Sequence, residues 1–453
     1  MTVDSFRRSG QTPRQYWFFG RCLWIAASLL VLRAGGLEAA ESHATWHVMP
    51  GQSIQAAIDR AVPGDTVTVA RGHYRENLRI AKPLTLRGEQ AGQKPTVDGG
   101  LKGDTIRVAA TDVTIADLNV VASGEDLGEQ NAGIYIQPGA HRATIRGCTL
   151  ADTLFGLWIE GVEDVAVEGN VITGKRDLGS AQRGNGIQLY NTERARVANN
   201  RISFVRDALY VDVSHHALFR GNRLHHSRYG THYMNSYHNV WEDNEVYRNR
   251  GGLALMEVRD QVVRNNRVWG NTDHGIMLRT IQDAVVENNV VAGNSRGFFI
   301  YDAEYNTLRG NRVIDNDVGV HLWAGSTRNT VENNDFIANR EQVKYVGARD
   351  EVWGGKGDGK GIRGHGNYWS NYVGWDRDGD GIGDVGYEAN DLVDRLSWRH
   401  PMVKLLMASP AIQTLRLIAQ QFPLLRAPSV VDRYPAMRPA DPHWNHWLNT
   451  HER

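Results

Sequence analysis

Soft donors recur in this chain at a spacing that would stack them. His232 and Met234 are followed by Met256, 22 residues after Met234, and by Met277, 45 residues after His232. Thioether sulfur and imidazole nitrogen together form the ligand set that selects Cu(I) over harder ions. The plainer reading of the same residues is a stripe that packs against a covering loop or a partner. A second histidine set, His215, His216, His225, His226 and His238, places His216 and His238 at the same 22-residue interval. Two imidazoles in one column would make a weaker metal site, and solvated turn histidines are the alternative. A third group lies in Asp376-Arg377-Asp378-Gly379-Asp380-Gly381-Ile382-Gly383-Asp384, where oxygens alternate and glycine falls at the sharp turn of a calcium loop. Asp376, Asp378, Asp380 and Asp384 would be the ligands. The twelfth position is Tyr387 rather than glutamate, which leaves a structural Ca²⁺ tie and a metal-free Asx turn as equal readings.

The spacing belongs to a repeat. The phrases EGNVI, NNRI, GNRL, DNEV, NNRV, NNVV, GNRV and NNDF place Asn170, Asn200, Asn222, Asn244, Asn266, Asn289, Asn311 and Asn334 at steps of 30, 22, 22, 22, 23, 22 and 23 residues. The one large break is an insertion around Lys175 to Gly184. After each asparagine comes a small residue and then alternating apolar positions, as in GLWI from Gly156 or GIML from Gly275. Alternation with period two makes these strands, and a coil of this length with a turn asparagine predicts a right-handed parallel β-helix. Asparagine amides stacked about 4.8 Å apart can bond to one another along the axis. Cys148 lies one coil before Asn170 and is expected in the same column as a buried small residue.

Outward positions of the strands then form two columns. One reads Trp158, Gln188, Tyr210, His232, Ala254, Met277, Phe299 and His321, and the other Glu160, Tyr190, Asp212, Met234, Met256, Arg279, Tyr301 and Trp323. Met234 and Met256 are thus neighbours, with His232 beside them and Met277 on the diagonal. Solenoid ends need capping. Ser53 before Ile54, Ala57, Ile58 and Ala61 predicts an N-capped helix as the first lid.

The chain has 453 residues with 51 Lys+Arg against 51 Asp+Glu. That balance argues against a nucleic-acid partner, which would be met by a basic excess. The first forty residues read as a cleaved export signal: Arg7, Arg8, Arg14 and Arg21, an apolar run from Cys22 to Leu32, then Ala39 and Ala40. Cleavage there would expose Glu41-Ser42-His43, a terminus able to hold Cu(II) or Ni(II). Cys148 would be the one cysteine left, which excludes an internal disulfide and a thiolate cluster. The expected organisation is a signal at 1–40, an N-terminal cap at 41–84, β-helix coils at 85–346, a Gly-rich and Asp-rich cap at 347–390 and a helical docking segment with its tail at 391–453. In that last segment Met402, Leu405, Leu406, Leu415, Ile418 and Phe422, broken by Pro410 and Pro423, predict two short amphipathic helices. They would pack back on the solenoid or face a membrane partner. The tail from Asp441 to Arg453 reads as a mobile end.

The opening GQSIQAAIDRAVPGDTVTVARGHYREN, the NN-x-[IV] coils, the block GNYWSNYVGWDRDGDGIGDVGY and the closing WRHPMVKLL, SP and FPLLR together resemble the NosD family, and the likeness spans nearly all of the chain after the signal. The resemblance implies a non-enzymatic periplasmic accessory protein that works with the membrane and ATPase subunits of an ABC transporter, is attached through it to the inner membrane, and helps assemble the copper-sulfide centre of nitrous oxide reductase, handling Cu(I) and meeting a copper chaperone. Its C-terminal region would be the docking end. The copper ligands His232, Met234, Met256 and Met277 are not part of that resemblance and rest on column geometry alone. The rival is a polysaccharide lyase or C5-epimerase, which shares the fold and would use Glu160, Tyr210 and Asp212.

Overall fold

One corner of each coil turns through left-handed backbone, and the residue there is glycine, asparagine or aspartate. Gly147, Gly169, Asn199, Gly221, Asp243, Asn265, Asn288, Gly310 and Asn333 have φ between 55° and 64°. These types reach that region with least strain. The residue that takes the turn is therefore the one before each repeat asparagine, which frees the asparagine itself to point inward.

A computed structural model describes residues 43–90, 92–348, 350–355, 366–389, 400, 402, 406, 409–421 and 430–444. The fold is a right-handed parallel β-helix. Its three parallel sheets have fourteen, thirteen and twelve strands. The first runs from Thr45–Val48 to Val352–Trp353, the second from His73–Arg75 to Tyr368–Trp369 and the third from Leu78–Ile80 to Glu341–Tyr345. Coils therefore continue past 85–346 at both ends. Thr45 already pairs with Thr66, and Thr66 with Thr85.

A single coil shows the logic. Strands Val240–Glu242, Glu245–Tyr247 and Gly251–Arg259 belong to the three sheets in turn, and their inward residues Trp241, Val246, Leu253 and Leu255 are fully buried. Each such side chain contributes about 1.5–3 kcal/mol on leaving water, and Phe219 stacks on Trp241 at 3.9 Å along the axis. Inside the corner the asparagine ladder runs from Asn170 upward. Asn244 Nδ2 donates to Asn266 Oδ1 at 2.9 Å and Asn266 Nδ2 to Asn289 Oδ1 at 3.0 Å. Cys148 occupies the column's foot, where its N–H donates to Asn170 Oδ1 at 2.9 Å and burial pushes the thiol up to about 11.

Two more ladders line the other corners. Asn249, Asn271, Asn294, Asn316 and Asn339 form one, each five residues after a first-ladder asparagine, and Asn306 and Asn329 lie in the other. The first ladder ends on Asn367 and then on the Asp432 carboxylate, which accepts from Asn367 Nδ2 at 3.1 Å and from Trp369 Nε1 at 3.0 Å. The aromatic block thus closes the core, with Trp369 stacked between Phe336 and Tyr387. Asp432 is brought there by an antiparallel pairing of Val430–Asp432 with Tyr387–Ala389.

At the other end the helix Ile54–Arg60 lids the coils with Ile54 and Ile58 buried. Ser53 Oγ accepts from Ala56 N at 3.1 Å, and the Glu76 carboxylate accepts from Ile54 N and Gln55 N, satisfying the amides that a helix start leaves open. The helix Pro410–Gln421 begins on its proline, a first-turn position that needs no N–H. Of the tail expected to be mobile from Asp441 to Arg453, residues 441–444 are described, and they are docked. Arg312 Nη1 donates to Asp441 at 2.5 Å, Asp335 accepts the Ala440 N–H, and Trp444 packs on Val290, Ala292, Ile314 and Ile337.

Candidate metal face

Register fixes the columns of the third sheet. Tyr210 pairs with His232, His232 with Ala254, Ala254 with Met277 and Met277 with Phe299, while Asp212 pairs with Met234, Met234 with Met256 and Met256 with Arg279. Met256 and Met277 are buried around Ala254, with Tyr229, Met234 and Phe299 packed against them. The three methionine side chains thus belong to one apolar patch, and Arg279 Nη1 lies 4.0 Å from the Met256 sulfur.

His232 stands at its edge, held by residues that sequence reasoning missed. Its Nδ1 is 3.2 Å from Asp207 Oδ2, and Asp207, fully buried, also receives Arg228 through both oxygens. Burial pushes the Asp207 carboxyl up, but the hydrogen bonds from His232 and Arg228 outweigh it and hold the group below the usual carboxylate range. With Nδ1 committed, Nε2 is the nitrogen available to a metal, the orienting role that carboxylates play behind metal-binding histidines. Asp207 lies 25 residues before His232, one coil back, so the signal was its place beside the column.

The other candidates fare differently. His216 and His238 share a column, with rings 5.0 Å apart and 13° from parallel. Stacked rings keep their in-plane lone pairs parallel, so they do not converge on one ion. Each also faces a carboxylate, Glu193 and Asp260. Asp376, Asp378 and Asp380 bring carboxylate oxygens within 4.8 Å of one another. Asp376 accepts the amides of Gly379, Asp380 and Gly381, and Asp384 accepts that of Arg377, the bonds of an Asx-type turn. Of the N-terminal trio, Glu41 and Ser42 lie outside the described residues. Met402, Leu406 and Ile418 are exposed, Leu415 is half-buried, and Leu405 and Phe422 fall outside the described residues. Among the described residues no helix is long and apolar enough to cross a membrane.

Residues 168–374 match the family model described as "Periplasmic copper-binding protein (NosD)", and 104–203 match a "Right handed beta helix region". The "Probable ABC transporter binding protein NosD" of Pseudomonas aeruginosa is 38% identical over 385 residues, covering 82% of this chain and 88% of that one. The chain belongs to the NosD family. A relative of the same name from Stutzerimonas stutzeri is 34% identical over 428 residues, 91% of this chain and 94% of that one. Among solved structures, the NosD-family chain is similar to PfbA, a surface adhesin of Streptococcus pneumoniae (TM-score 0.52, 12% identity, 65% of this chain and 88% of that one). It is similar also to the Dettilon tailspike protein (TM-score 0.51, 14% identity, 65% and 66%). These two likenesses establish the β-helix fold and nothing about chemistry.

Proposed function

We propose that this NosD-family protein is an exported, periplasmic, non-enzymatic accessory of an ABC transporter, and that it carries Cu(I) as cargo on the third sheet toward the copper-sulfide centre of nitrous oxide reductase. The observation that carries the reading is the grouping of Met234, Met256 and Met277 in one apolar patch, in register with an imidazole whose Nδ1 faces a buried carboxylate. The donor set fits the ion. Thioethers bind Cu(I) and neglect harder cations, and an apolar surround of Tyr229 and Phe299 keeps water away from a soft, weakly hydrated metal. Arg279, resting on the Met256 sulfur, would swing aside to admit cargo. The exposed Met402, Leu406 and Ile418 support the C-terminal segment as the end that meets the transporter, and the names of the relatives support such a partner. The lyase or epimerase reading gains no support: Glu160 already accepts from Tyr135 and Trp158, and Asp212 from Asn235.

The test is an anaerobic competition titration of Cu(I) into the purified protein and into the triple variant His232→Ala, Met234→Ala, Met256→Ala. The expected outcome is a loss of affinity beyond about tenfold to a hundredfold, since losing an orienting partner alone costs that much. Undiminished binding by the variant would move the metal to the turn histidines or a terminus. No binding by either protein would leave a transporter-docked scaffold.

A further inference from the structure

Beyond the four residues of the candidate site, the third sheet carries a buried imidazole that the fold does not use. His274 is 2% exposed; its Nδ1 reaches only the Asp273 carboxylate, at 3.6 Å, and its Nε2 meets no hydrogen-bond partner. An unsatisfied buried polar group of this kind destabilises a fold by about 1–3 kcal/mol, so its presence points to something that completes it.

Its surroundings repeat those of His232. Nδ1 of His232 faces Asp207, which is bound by Arg228, and Nδ1 of His274 lies 3.6 Å from Asp273, which is bound by Arg296. Two imidazoles, two coils apart on one face, thus each turn Nδ1 to an arginine-paired carboxylate. The patch lies between them. The Tyr229 ring is 5.6 Å from His232 and 5.7 Å from His274 and packs on the cluster of Ala254, Met256 and Met277. Gly251 makes this closure feasible, because a Cβ there would come within 2.5 Å of the Tyr229 ring and 2.7 Å of His274 Cε1.

Register places His274 beside Met277. In the next coil their partners are Arg296 and Phe299, and the Arg296 guanidinium lies 4.1 Å from the Phe299 ring centre. In the coil of His232 the corresponding positions are Tyr229 and His232, also in contact. We propose that His274 is a copper ligand, the second imidazole of this face, acting with Met277 and Met256 at the opposite side of the patch from His232. The inference rests on the Cu(I) reading above and extends it from one imidazole to two, with the thioethers of Met256 and Met277 shared along the face.

The experiment compares wild type, His274→Ala and Asp273→Asn in the same anaerobic Cu(I) competition, with copper K-edge X-ray absorption on each loaded protein and a thermal melt to confirm folding. His274→Ala is expected to lose at least about tenfold in affinity and one nitrogen from the copper shell, and Asp273→Asn to fall less in the same direction. Should His274→Ala fail to fold, the wild-type shell decides: two imidazole nitrogens support the assignment and one overturns it. Wild-type binding abolished by the His232, Met234, Met256 triple variant but untouched in His274→Ala would overturn this inference while the copper reading stands. Absence of Cu(I) binding by the wild type would overturn both.

Discussion

The inner corner of the coils and the outer face of the third sheet are built by the same repeat, yet they read as opposites. At the corner, Asn200, Asn222, Asn244, Asn266, Asn289 and Asn311 are identical, because each amide must accept from the asparagine one coil before it and donate to the next. On the face, Tyr210, His232, Ala254, Met277 and Phe299 occupy equivalent places with no two alike. Stacking inside the corner selects one residue type. Outside, register comes with the scaffold and leaves each side chain open to chemistry, so a functional site on a solenoid is a departure from the repeat.

The comparison breaks most readily in mid-ladder. Asn266→Ala removes the acceptor for the Asn244 N–H and Nδ2 and the donor to Trp241 O and Asn289 Oδ1. With about 1–3 kcal/mol for each buried group left unpaired, and some relaxation, a loss of about 3–5 kcal/mol is expected in urea unfolding. Because the coils interact mainly with neighbours, the transition should also broaden or split. On the face, Met234→Ala, which truncates a half-buried side chain without touching the Asp207 pair, should keep stability within about 1 kcal/mol, the scale of changes away from such networks. Equal destabilisation by the two variants would erase the distinction between corner and face.

Asp207 tests the boundary between them, since it is buried like a ladder residue and serves the face. Asp207→Ala strands Arg228 and frees His232, and removing one partner of a buried ion pair typically costs about 3 kcal/mol. Thermal unfolding should show that loss, and Cu(I) affinity should drop with it. A stability loss with unchanged affinity would make the carboxylate a structural member only.

What the sequence makes legible follows the same division. Identical residues at fixed steps announce the ladder, the strands and the register that joins Met234 to Met256. His274 escapes that reading for a local reason. Counting alternate positions back from Met277 puts it inside, but Gly275 turns inward, where a Cβ would meet Val291 of the core, and the parity of the strand shifts so that His274 faces out. Asp207 and Arg228 escape because an ion pair across coils depends on rotamers, which periodicity does not encode. The docking of Asp441 escapes because Arg312 and Asp441 are 129 residues apart with no repeat linking them. The second ladder is readable five residues after Asn244, Asn266, Asn289, Asn311 and Asn334.

A smaller effect separates two ladder ends. Asn329 donates to Glu351 from its N–H at 2.7 Å and from Nδ2 at 3.2 Å, and burial nonetheless pushes the Glu351 carboxyl up to about 7. The folded group therefore holds its proton where the unfolded one, near about 4.3, has released it. Its contribution is full below the unfolded value and is lost as pH rises through about 7. The last coils should melt lower at pH 8 than at pH 5, and Glu351→Gln should remove that slope. Hydrogen exchange at Asn329 and Val352 would localise it.

The smallest expected change lies at the ladder's foot. Cys148 stands where an asparagine would, and its surroundings are already those of a rung. The thiol lies 3.9 Å from Ile115 O, the carbonyl equivalent to Ile145 O, which accepts from Asn170 Nδ2 at 3.0 Å one coil on. The Leu118 N–H points at the sulfur, as the Asn244 N–H points at Asn266 Oδ1. Cys148→Asn would give that amide an oxygen and Asn170 a further neighbour, so the ladder should lengthen by one rung with a change within about 1 kcal/mol, neutral or stabilising. A clear loss of stability in urea would mean that the corner around Cys148 is too tight for an amide, and that the ladder stops at Asn170 for reasons of space rather than by substitution of a small side chain into a site built for asparagine.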